Sequence, residues 1–573
     1  MKITWKHEVK EDEKIDPEKI VNVILKNRQI KNIKEFLNPP SPLSINLADF
    51  GLPAGGQKKQ IQKTLHLLEK IRKNNQMIIV YTDYDADGIT GGAVLWETLH
   101  LLGFNVMPYV PHRKLEGYGF SIKGIDNVKK QFDPALIISV DHGISAKEKV
   151  SYAKSLGISV IITDHHLKPE KLPTDAEAIF HIPELSGSGV SYFFSKMIFD
   201  HFKHQTSNVE LLASNFQTDY LALATIGTVA DLVPLTGPSR RLVKYGLDAF
   251  PHIKRVGLKE ILKEAGIEGR KVTPYEIGFI IAPRINAVGR LEHAIDALRL
   301  LCTRDPQKAH KLAANIGEKN RERQDMVATA VEEAKKEIEN LKLKIKNLPK
   351  ILFLVSDHWH EGIIGLIASK ITEAYYRPTI VMTKSDALPT GRQGFLKGSA
   401  RSIPSFHITD FLRSLKKYLV DVGGHKGAAG FTIKKEELEK FMKTAQKEAN
   451  KLISENDLER KIEADIKIPL SKINMKWIKE LEKLQPFGMG NPQPTFYSQG
   501  NLIDAKLLGK KSEHLKLLIK EDNSFPFEFI SFNTGDQFTK LSRGKNIEVV
   551  YNLDINRWNG KEKVRGKIIY FSN

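Results

Sequence analysis

The chain has 573 residues, of which 41% are hydrophobic and 27% charged, so it is globular in composition and too long for one hydrophobic core. Its net charge of +19 favours a polyanionic partner, because clustered Lys and Arg bind phosphates, although a general Lys-rich bias would give the same excess. Cys302 is the only cysteine, which excludes an intrachain disulfide and a cysteine zinc cluster. The sequence shows no signal-type N-terminus and no apolar run long enough to cross a bilayer, so we expect three to five domains (about 150 residues each) in the cytoplasm.

Residues 1–56 are of mixed character, and an alternating βα pattern follows them. The apolar strand Met77–Val80 leads into the run Asp83-Tyr84-Asp85-Ala86-Asp87-Gly88. Three carboxylates this close repel one another unless a cation lies among them. Helix-capping aspartates in a turn would give the same run, so taken alone it leaves both interpretations open.

Three further segments carry candidate ligands. They are Ala135–Val140 with Asp141-His142, Ser159–Thr163 with Asp164-His165-His166, and Ile226–Pro234 with Asp231. Unbroken apolar runs are typical of strands buried on both faces of a parallel sheet. Because the carboxyl ends of such strands lie at one edge, we expect these groups to meet there and to hold Mn²⁺ or Mg²⁺.

The rest of the chain predicts a linking helix, a second α/β unit and a barrel. Residues 304–345 have helical spacing, with no Gly or Pro after Gly317, and a second α/β pattern begins at Ile351. Glycines there lie near Ser399 and Arg401, which are suitable phosphate donors; tight turns would explain the glycines alone. From about 456, short β runs predict a small barrel. Its candidates for binding a single strand are Lys506, Lys510, Lys511, Lys516, Phe529 and Trp558. Core packing is the better explanation for any single aromatic among them.

Together these motifs resemble those of the DHH phosphoesterase superfamily, and their order and spacing are similar to those of the RecJ single-strand-specific exonucleases. Ala282–Leu291 and Leu484–Pro492 are similar to further RecJ segments, so the resemblance covers nearly the whole chain. It implies an α/β protein in five parts. These are an N-terminal appendage (1–56), a parallel-sheet DHH catalytic domain (57–240), a helical extension with the linking helix (241–346), a smaller α/β DHH-associated substrate-binding domain (347–453) and a C-terminal OB-fold β-barrel (454–573).

The resemblance implies processive 5′-to-3′ hydrolysis of single-stranded DNA to mononucleotides, in DNA repair and recombination. We expect the attacking water to be held between two divalent ions, Mn²⁺ or Mg²⁺, with Asp141 able to bridge them. The expected metal ligands are Asp83, Asp85, Asp87, Asp141, His165 and Asp231. Asp164 is expected to orient a neighbouring imidazole, and His166 to face the scissile phosphate as donor or general acid, so that Asp164, His165 and His166 form the catalytic group.

Further residues are assigned to phosphate or nucleic-acid binding by their position in the family motifs. They are Arg113, Arg284, Asn286, Arg290, His360, Ser399, Arg401 and His425. A passage between the two α/β units that is too narrow for a duplex is our hypothesis for single-strand selectivity. The family also implies a single-stranded-DNA-binding protein and a helicase as partners. We expect a monomer without membrane contact, and the sequence leaves RNA cleavage open.

The sequence departs from the family pattern in three places. Tyr81-Thr82 precedes Asp83 where Gly is usual, and His142 follows Asp141 where Cys or Asn is common; neither change removes a ligand. Residues 386–394 resemble an insertion, which we expect to be an exposed loop that shades the 5′-end pocket. Two alternatives remain: a DHH hydrolase of short RNA or cyclic dinucleotides, which would lack the barrel and linker, and a non-catalytic nucleic-acid-binding scaffold, which would lack metal ligands.

Overall fold

The computed structural model describes residues 2–10, 13, 16–51, 56–117, 119–344, 347–384, 394–522, 524–558 and 561–572. The chain forms two compact units. The larger contains Pro42–Val233 and Tyr245–Arg460, and the smaller contains Met1–Ser41, Pro234–Lys244 and Lys461–Asn573. The N-terminal segment therefore belongs to the same unit as the C-terminal barrel.

The N-terminal segment packs into the core of the smaller unit. Its elements are β1 (Lys2–Trp5), α1 (Pro17–Asn27) and α2 (Ile33–Leu37). Helix α1 begins where the side chain of Asp16 accepts the N–H of Glu18 at 3.2 Å, with Pro17 in its first turn. Its buried face, which includes Ile20 and Ile24, contacts the same apolar cluster as the barrel strands.

A five-stranded parallel sheet forms the first α/β part of the larger unit, with strand order β3-β2-β4-β5-β6. Its strands β2 and β4 are buried throughout, as their apolar runs predict. The elements are α3 (Gln57–Lys73), β2 (Ile78–Thr82), α4 (Ala86–Leu101), β3 (Val106–Tyr109), α5 (Ile122–Phe132), β4 (Leu136–Val140), α6 (Lys147–Ser155), β5 (Ser159–Asp164), β6 (Ala178–His181) and α7 (Gly187–Phe202).

A helical region follows the sheet and ends in the 39-residue helix α15. Its helices are α8 (Val209–Gln217), α9 (Asp219–Ala230), α10 (Gly237–Ala249), α11 (Val256–Glu264), α12 (Pro274–Glu276), α13 (Ala282–Leu291), α14 (Ile295–Cys302) and α15 (Pro306–Lys344), with a π-helical turn at Ile277–Ile281. The first half of α15 packs against α11 and α13. Its second half buries Ala334 and Ile338 against the second α/β part, so this helix connects the two parts through packed cores.

The second α/β part contains a mixed sheet with strand order β10-β11-β9-β8-β7, in which only β7 and β8 pair in parallel. Burial alternates along β9, so Ser399 and Arg401 lie on the face opposite to Gly398 and Ala400. The elements are β7 (Leu352–Val355), α16 (Ile364–Tyr375), β8 (Thr379–Lys384), β9 (Phe395–Arg401), α17 (Ile408–Ser414), β10 (Leu419–His425), β11 (Ala428–Lys434) and α18 (Leu438–Leu452).

The smaller unit contains a closed barrel. Strand β14 pairs with both β15 and β17, which closes the ring β14-β15-β16-β18-β17. The elements are β12 (Lys461–Ala464), β13 (Ile466–Lys467), α19 (Met475–Glu482), β14 (Phe496–Leu508), β15 (His514–Lys520), β16 (Phe527–Ser531), β17 (Asn546–Trp558) and β18 (Lys561–Ser572).

The structure confirms the expected fold class: a parallel sheet, a long linking helix, a second α/β part and a C-terminal barrel. Within the described residues, no helix is both long and apolar enough to span a membrane. Nearly all of the insertion expected at 386–394 lies outside the described residues.

Candidate metal centre

The first carboxylates lie where β2 passes into α4. Asp85 is the N-cap of α4, and its Oδ1 accepts the N–H groups of Asp87 at 2.9 Å and Gly88 at 3.1 Å. Asp83 is buried and its Oδ1 accepts the N–H of Tyr84 at 2.7 Å. A Cβ at position 88 would lie 2.7 Å from the Cβ of Asp83, so the turn requires glycine there. Asp85 therefore does cap a helix, and it does so next to a second, buried carboxylate.

Asp87 is fixed by the N-terminus of α7. Its Oδ2 accepts the N–H of Gly187 at 2.6 Å and its Oδ1 accepts the N–H of Ser188 at 2.9 Å. Two N–H groups from the first turn of α7 therefore hold both oxygens of this carboxylate in place. A Cβ at Gly227 would lie 2.2 Å from Oδ1 of Asp87, and the absence of a side chain there lets α9 approach.

Asp141 follows β4 in an unusual backbone conformation. Its φ is +69°, in the left-handed region that non-glycine residues seldom adopt. Its side chain is buried, and a Cβ at Gly187 would lie 2.4 Å from both its Cβ and its Oδ1. Such strain persists only where the surrounding structure holds it, often at functional sites.

His165 brings the carboxylates together. Its Nε2 lies 3.1 Å from Oδ1 of Asp141, 3.4 Å from Oδ2 of Asp231 and 3.9 Å from Oδ2 of Asp87. Asp231 arrives from the C-terminal end of α9 rather than from a strand. Three strand ends and one helix end thus converge at one edge of the sheet.

Asp164 and His166 form a hydrogen-bonded pair beside this cluster. Oδ1 of Asp164 lies 2.8 Å from Nδ1 of His166, and it also accepts the backbone N–H groups of His165 at 2.7 Å and His166 at 3.0 Å. Its Oδ2 accepts the N–H of Ile144 at 2.8 Å. Asp164 therefore fixes the loop and the imidazole together.

The pKa shifts of the carboxylate cluster differ from those of the Asp164–His166 pair. Burial, followed by the charges of neighbouring carboxylates, raises the pKa of Asp83 and of Asp141 well above the ordinary value. The same causes raise the pKa of Asp231 to about 8. For His166, burial disfavours the proton, but the hydrogen bond and charge of Asp164 prevail and raise its pKa to about 9. Burial likewise opposes ionisation of Asp164, yet the bond from His166 holds the pKa of Asp164 well below its usual range.

The donor set fits divalent cations. Three overlapping groups have ligand atoms within 4.8 Å of one another: Asp83-Asp85-Asp141, Asp87-His165-Asp231 and Asp141-His165-His166. Oδ1 of Asp141 and Nε2 of His165 are buried and lie 3.1 Å apart, but neither makes a hydrogen bond among the described residues. Buried polar atoms normally have hydrogen-bond partners, so a cation shared by these two atoms would fit here. Several carboxylates with one or two imidazoles suit Mn²⁺ or Mg²⁺.

A basic group from both α/β parts lies next to the carboxylates. The guanidinium of Arg113 lies 5.2 Å from the ring centroid of Tyr84. In the sequence, Tyr84 stands between Asp83 and Asp85. Nη1 of Arg290 donates to the carbonyl oxygen of Gly362 at 3.3 Å, and Nη1 of Arg401 donates to Oγ of Ser399 at 3.2 Å. Burial and the charges of Arg113, Arg323 and Arg401 lower the pKa of Arg290 to about 10. Packed guanidinium groups of this kind favour a bound anion.

The remaining predicted contact residues have different surroundings. Nε2 of His360 lies 3.1 Å from Nζ of Lys114, which places it beside the basic group. Nε of Arg284 donates to Oε2 of Glu264 at 2.7 Å, so this guanidinium is held by an ion pair. Oδ1 of Asn286 accepts the N–H of Ala86 at 2.7 Å, which fixes the loop that carries the first carboxylates. His425 is exposed at the end of β10.

Sequence reasoning missed several residues of the site. Gly187 and Ser188 hold Asp87, and the run Ser186–Gly189, with its two glycines at the start of α7, was an available signal. Arg323 lies on α15, donates to Oδ1 of Asn320 at 2.9 Å and is among the charges that act on Arg290. Nothing in its helical sequence context distinguishes it from a solvated arginine.

Comparison with known proteins gives three family matches in chain order. Residues 77–228 match the DHH family N-terminal domain, residues 348–451 match the DHHA1 domain, and residues 464–570 match the RecJ OB domain. These ranges correspond to the parallel sheet, the mixed sheet and the barrel.

The chain is also similar along most of its length to proteins named single-stranded-DNA-specific exonuclease RecJ. It is 30% identical to that of Haemophilus influenzae over 89% of this chain and 90% of the relative. It is 33% identical to that of Bacillus subtilis over 90% of this chain, which spans 63% of the relative's length. A crystal structure of RecJ from Thermus thermophilus in complex with Mn²⁺ superimposes with a TM-score of 0.79 at 27% identity, covering 100% of this chain and 80% of that one.

Proposed function

Because this chain belongs to the RecJ family of single-stranded-DNA-specific exonucleases, we propose that it hydrolyses the phosphodiester bonds of single-stranded DNA with two divalent cations. We propose further that it digests from the 5′ end and acts in DNA repair and recombination. The observation that carries the proposal is the convergence of Asp83, Asp87, Asp141, His165 and Asp231 at one sheet edge, next to a basic group from both α/β parts.

The proposed ligands are Asp83, Asp85, Asp87, Asp141, His165 and Asp231, with Mn²⁺ or Mg²⁺ as the ions. When bound, two such cations lower the pKa of the attacking water and neutralise charge on the reacting phosphate. Asp141 would contribute to both cations, because it belongs to two of the three overlapping ligand groups. The raised pKa values of Asp141 and Asp231 are expected in a site built for positive charge.

We propose that His166 donates a proton to the leaving group and that Asp164 orients His166. With its pKa raised to about 9, His166 carries a proton at neutral pH and can give it to the departing 3′ oxygen. Asp164 accepts from the opposite side of this imidazole, which orients the ring and stabilises its charged form.

The basic group is proposed to hold the 5′ end of the strand. Arg113, Arg290, Ser399 and Arg401 offer donors close to the carboxylates, and His360 lies beside Lys114. The first turn of α16 adds to this group, because a Cβ at Gly365 would lie 3.0 Å from Nη2 of Arg401 and 3.1 Å from Oγ of Ser399. A terminal phosphate suits such a combination of guanidinium groups and hydroxyl.

Both alternative functions fit less well. A hydrolase of short RNA or cyclic dinucleotides needs no barrel, whereas residues 464–570 match the RecJ OB domain. A non-catalytic scaffold needs no ligands, whereas the expected carboxylates and His165 are all present and close together. A single-stranded-DNA-binding protein and a helicase as partners, the monomeric state and a cytoplasmic location stay predictions, and RNA cleavage stays an open question for the assay below.

The test is cleavage of 5′-labelled single-stranded DNA, matched duplex and matched RNA with Mn²⁺, Mg²⁺ or chelator. We expect rapid release of labelled mononucleotide from single-stranded DNA with either metal, and none with chelator. Asp141→Ala should abolish cleavage and keep DNA binding, while the surface variant Asp200→Ala should behave as wild type. Turnover that survives Asp141→Ala, or equal cleavage of duplex and single strand, would contradict the proposal.

A further inference from the structure

Two aromatic rings stack on each other in an exposed position before α13. Tyr275 and Phe279 are 61% and 69% exposed, and their ring centroids lie 4.9 Å apart with an interplanar angle of 28°. Large aromatic side chains contribute most to the stability of a fold or a complex when they are buried. An exposed pair held nearly parallel therefore suggests a binding surface.

The base beneath the rings is rigid. Oε2 of Glu276 accepts the N–H of Thr273 at 2.9 Å in a capping box, and Pro274 begins the helical run. The backbone then forms the π-helical turn Ile277–Ile281, which carries Phe279 and leads into α13, and its two terminal isoleucines are buried. Turns of this type are rare and are frequent at functional sites. The two rings are therefore held in place before any ligand binds.

The same helical run reaches the metal centre and the basic group. Asn286 holds the loop of the first carboxylates, and Arg290 lies in the basic group. On the other side, a Cβ at Gly278 would lie 3.9 Å from Cγ1 of Val229, two residues before Asp231. The distance from residue 279 to residue 290 is about 16 Å along a helix, or about five stacked nucleotides at ~3.4 Å each.

Two basic residues lie a few positions before the rings in the sequence. Arg270 and Lys271 are exposed, and only the buried Val272 separates them from Thr273 of the capping box. Proteins bind single strands without sequence preference by combining a basic groove with aromatic rings on which bases stack.

We propose that Tyr275 and Phe279 form a base-stacking platform for the substrate strand on the 3′ side of the metal centre. The inference rests on the proposed exonuclease function and adds a contact with bases to the phosphate contacts described above. A strand whose 5′ phosphate lies at the basic group passes the carboxylates and places its next few bases on the rings. The platform gives affinity for long single strands without a preference for sequence.

The test uses two double variants of the full chain. Y275L/F279L keeps apolar volume but removes the planar rings, and Y275F/F279Y keeps both rings. Leu452→Ala, which removes an exposed apolar side chain from the end of α18, is the matched control. The substrates are a 5′-phosphorylated dT dinucleotide, a dT 20-mer, and a 20-mer with abasic residues at nucleotides 3–7.

For Y275L/F279L we expect the KM of the 20-mer to rise at least about tenfold, which corresponds to about 1.4 kcal/mol and is the size of effect that loss of base stacking produces. The dinucleotide, which is too short to reach the rings, should be hydrolysed as by the wild type. Abasic residues should raise the KM of the wild type and of Y275F/F279Y, and should have little effect on Y275L/F279L. The platform would be overturned if the abasic residues raised KM equally in all three proteins. It would also be overturned if Y275L/F279L lost as much activity on the dinucleotide as on the 20-mer.

Binding of the fluorescent 20-mer in chelator separates this proposal from the exonuclease itself. Weaker binding by Y275L/F279L, with wild-type binding by Leu452→Ala, supports the platform even if no cleavage is found. Unchanged binding of the 20-mer by Y275L/F279L would overturn the proposal.

Discussion

Oδ1 of Asp164 lies 2.8 Å from Nδ1 of His166 and accepts the backbone N–H of the same residue at 3.0 Å. One carboxylate therefore fixes both the position and the charge of this imidazole. The contact raises the pKa of His166 to about 9 despite burial.

Asp164→Asn should keep the loop but lose the charge that stabilises protonated His166. The pKa of His166 should fall, so the alkaline limb of the kcat profile should move to lower pH. General acid catalysis contributes about 10²–10⁴-fold, and we expect kcat on single-stranded DNA to fall within that range. The p-nitrophenyl ester of thymidine 5′-phosphate, whose leaving group needs no proton, should be affected much less. Equal losses on both substrates would mean that the pair has a structural role only, and Asp200→Asn serves as the surface control.

Asn286→Ala should weaken metal binding rather than DNA binding. Its Oδ1 accepts the N–H of Ala86 at 2.7 Å, next to the capping carboxylate Asp85. Loss of a residue that orients metal ligands typically costs about 10–100-fold in metal affinity. Calorimetric titration with Mn²⁺ should show this loss, while binding of a 20-mer in chelator should match that of the surface variant Asn105→Ala. Weaker DNA binding with unchanged Mn²⁺ affinity would instead favour the direct nucleic-acid contact that the sequence predicts for this residue.

The stabilisation given by Mn²⁺ should grow as pH rises. Burial and neighbouring carboxylates raise the pKa of Asp231 to about 8 in the metal-free folded chain, whereas an unfolded aspartate titrates near about 4. The folded chain therefore keeps a proton that the unfolded chain has lost, and its stability falls between these two pH values. Bound Mn²⁺ removes this pH-dependent loss of stability. The Tm difference between Mn²⁺ and chelator should increase from pH 6 to pH 8.5, and a constant or decreasing difference would contradict this electrostatic assignment.

Arg401→Ala should remove preference for a 5′ phosphate. Its guanidinium donates to Oγ of Ser399 and lies beside the first turn of α16. A hydrogen bond to a charged group contributes about 1.5–3 kcal/mol, so the KM of a 5′-phosphorylated 20-mer should rise about ten- to a hundredfold. The KM of the 5′-hydroxyl strand should change little, and Arg413→Ala should leave both unchanged. An equal rise for both strands would place Arg401 along the backbone path rather than at the end of the strand.

The sequence predicted the strand-borne part of the site because parallel strands deliver their following residues to one edge. Asp83, Asp141 and His165 illustrate this rule, since each follows a buried apolar run. Asp231 was predicted as a ligand, but its arrival from the C-terminal end of α9 was not. Local pattern indicates which residues follow a strand, whereas the approach of a helix depends on packing between distant segments.

Long-range partners were not predictable either. The sequence predicts that Asn286 binds nucleic acid, yet its Oδ1 accepts a hydrogen bond from a backbone N–H 200 positions away in the chain. Arg284 likewise donates to Glu264. The long strand Phe496–Leu508 carries Gly500-Asn501 in its interior, a pair typical of turns, so local pattern does not predict a strand of this length. In each case, tertiary contacts determine the outcome.

The most direct measurement is the number of Mn²⁺ ions that the full chain binds at neutral pH, by calorimetry or by electron paramagnetic resonance. We predict two ions per wild-type chain, with spin coupling between them, and loss of the coupled pair in Asp141→Ala. Uncoupled binding that is the same in wild type and Asp141→Ala would contradict a shared centre at this sheet edge.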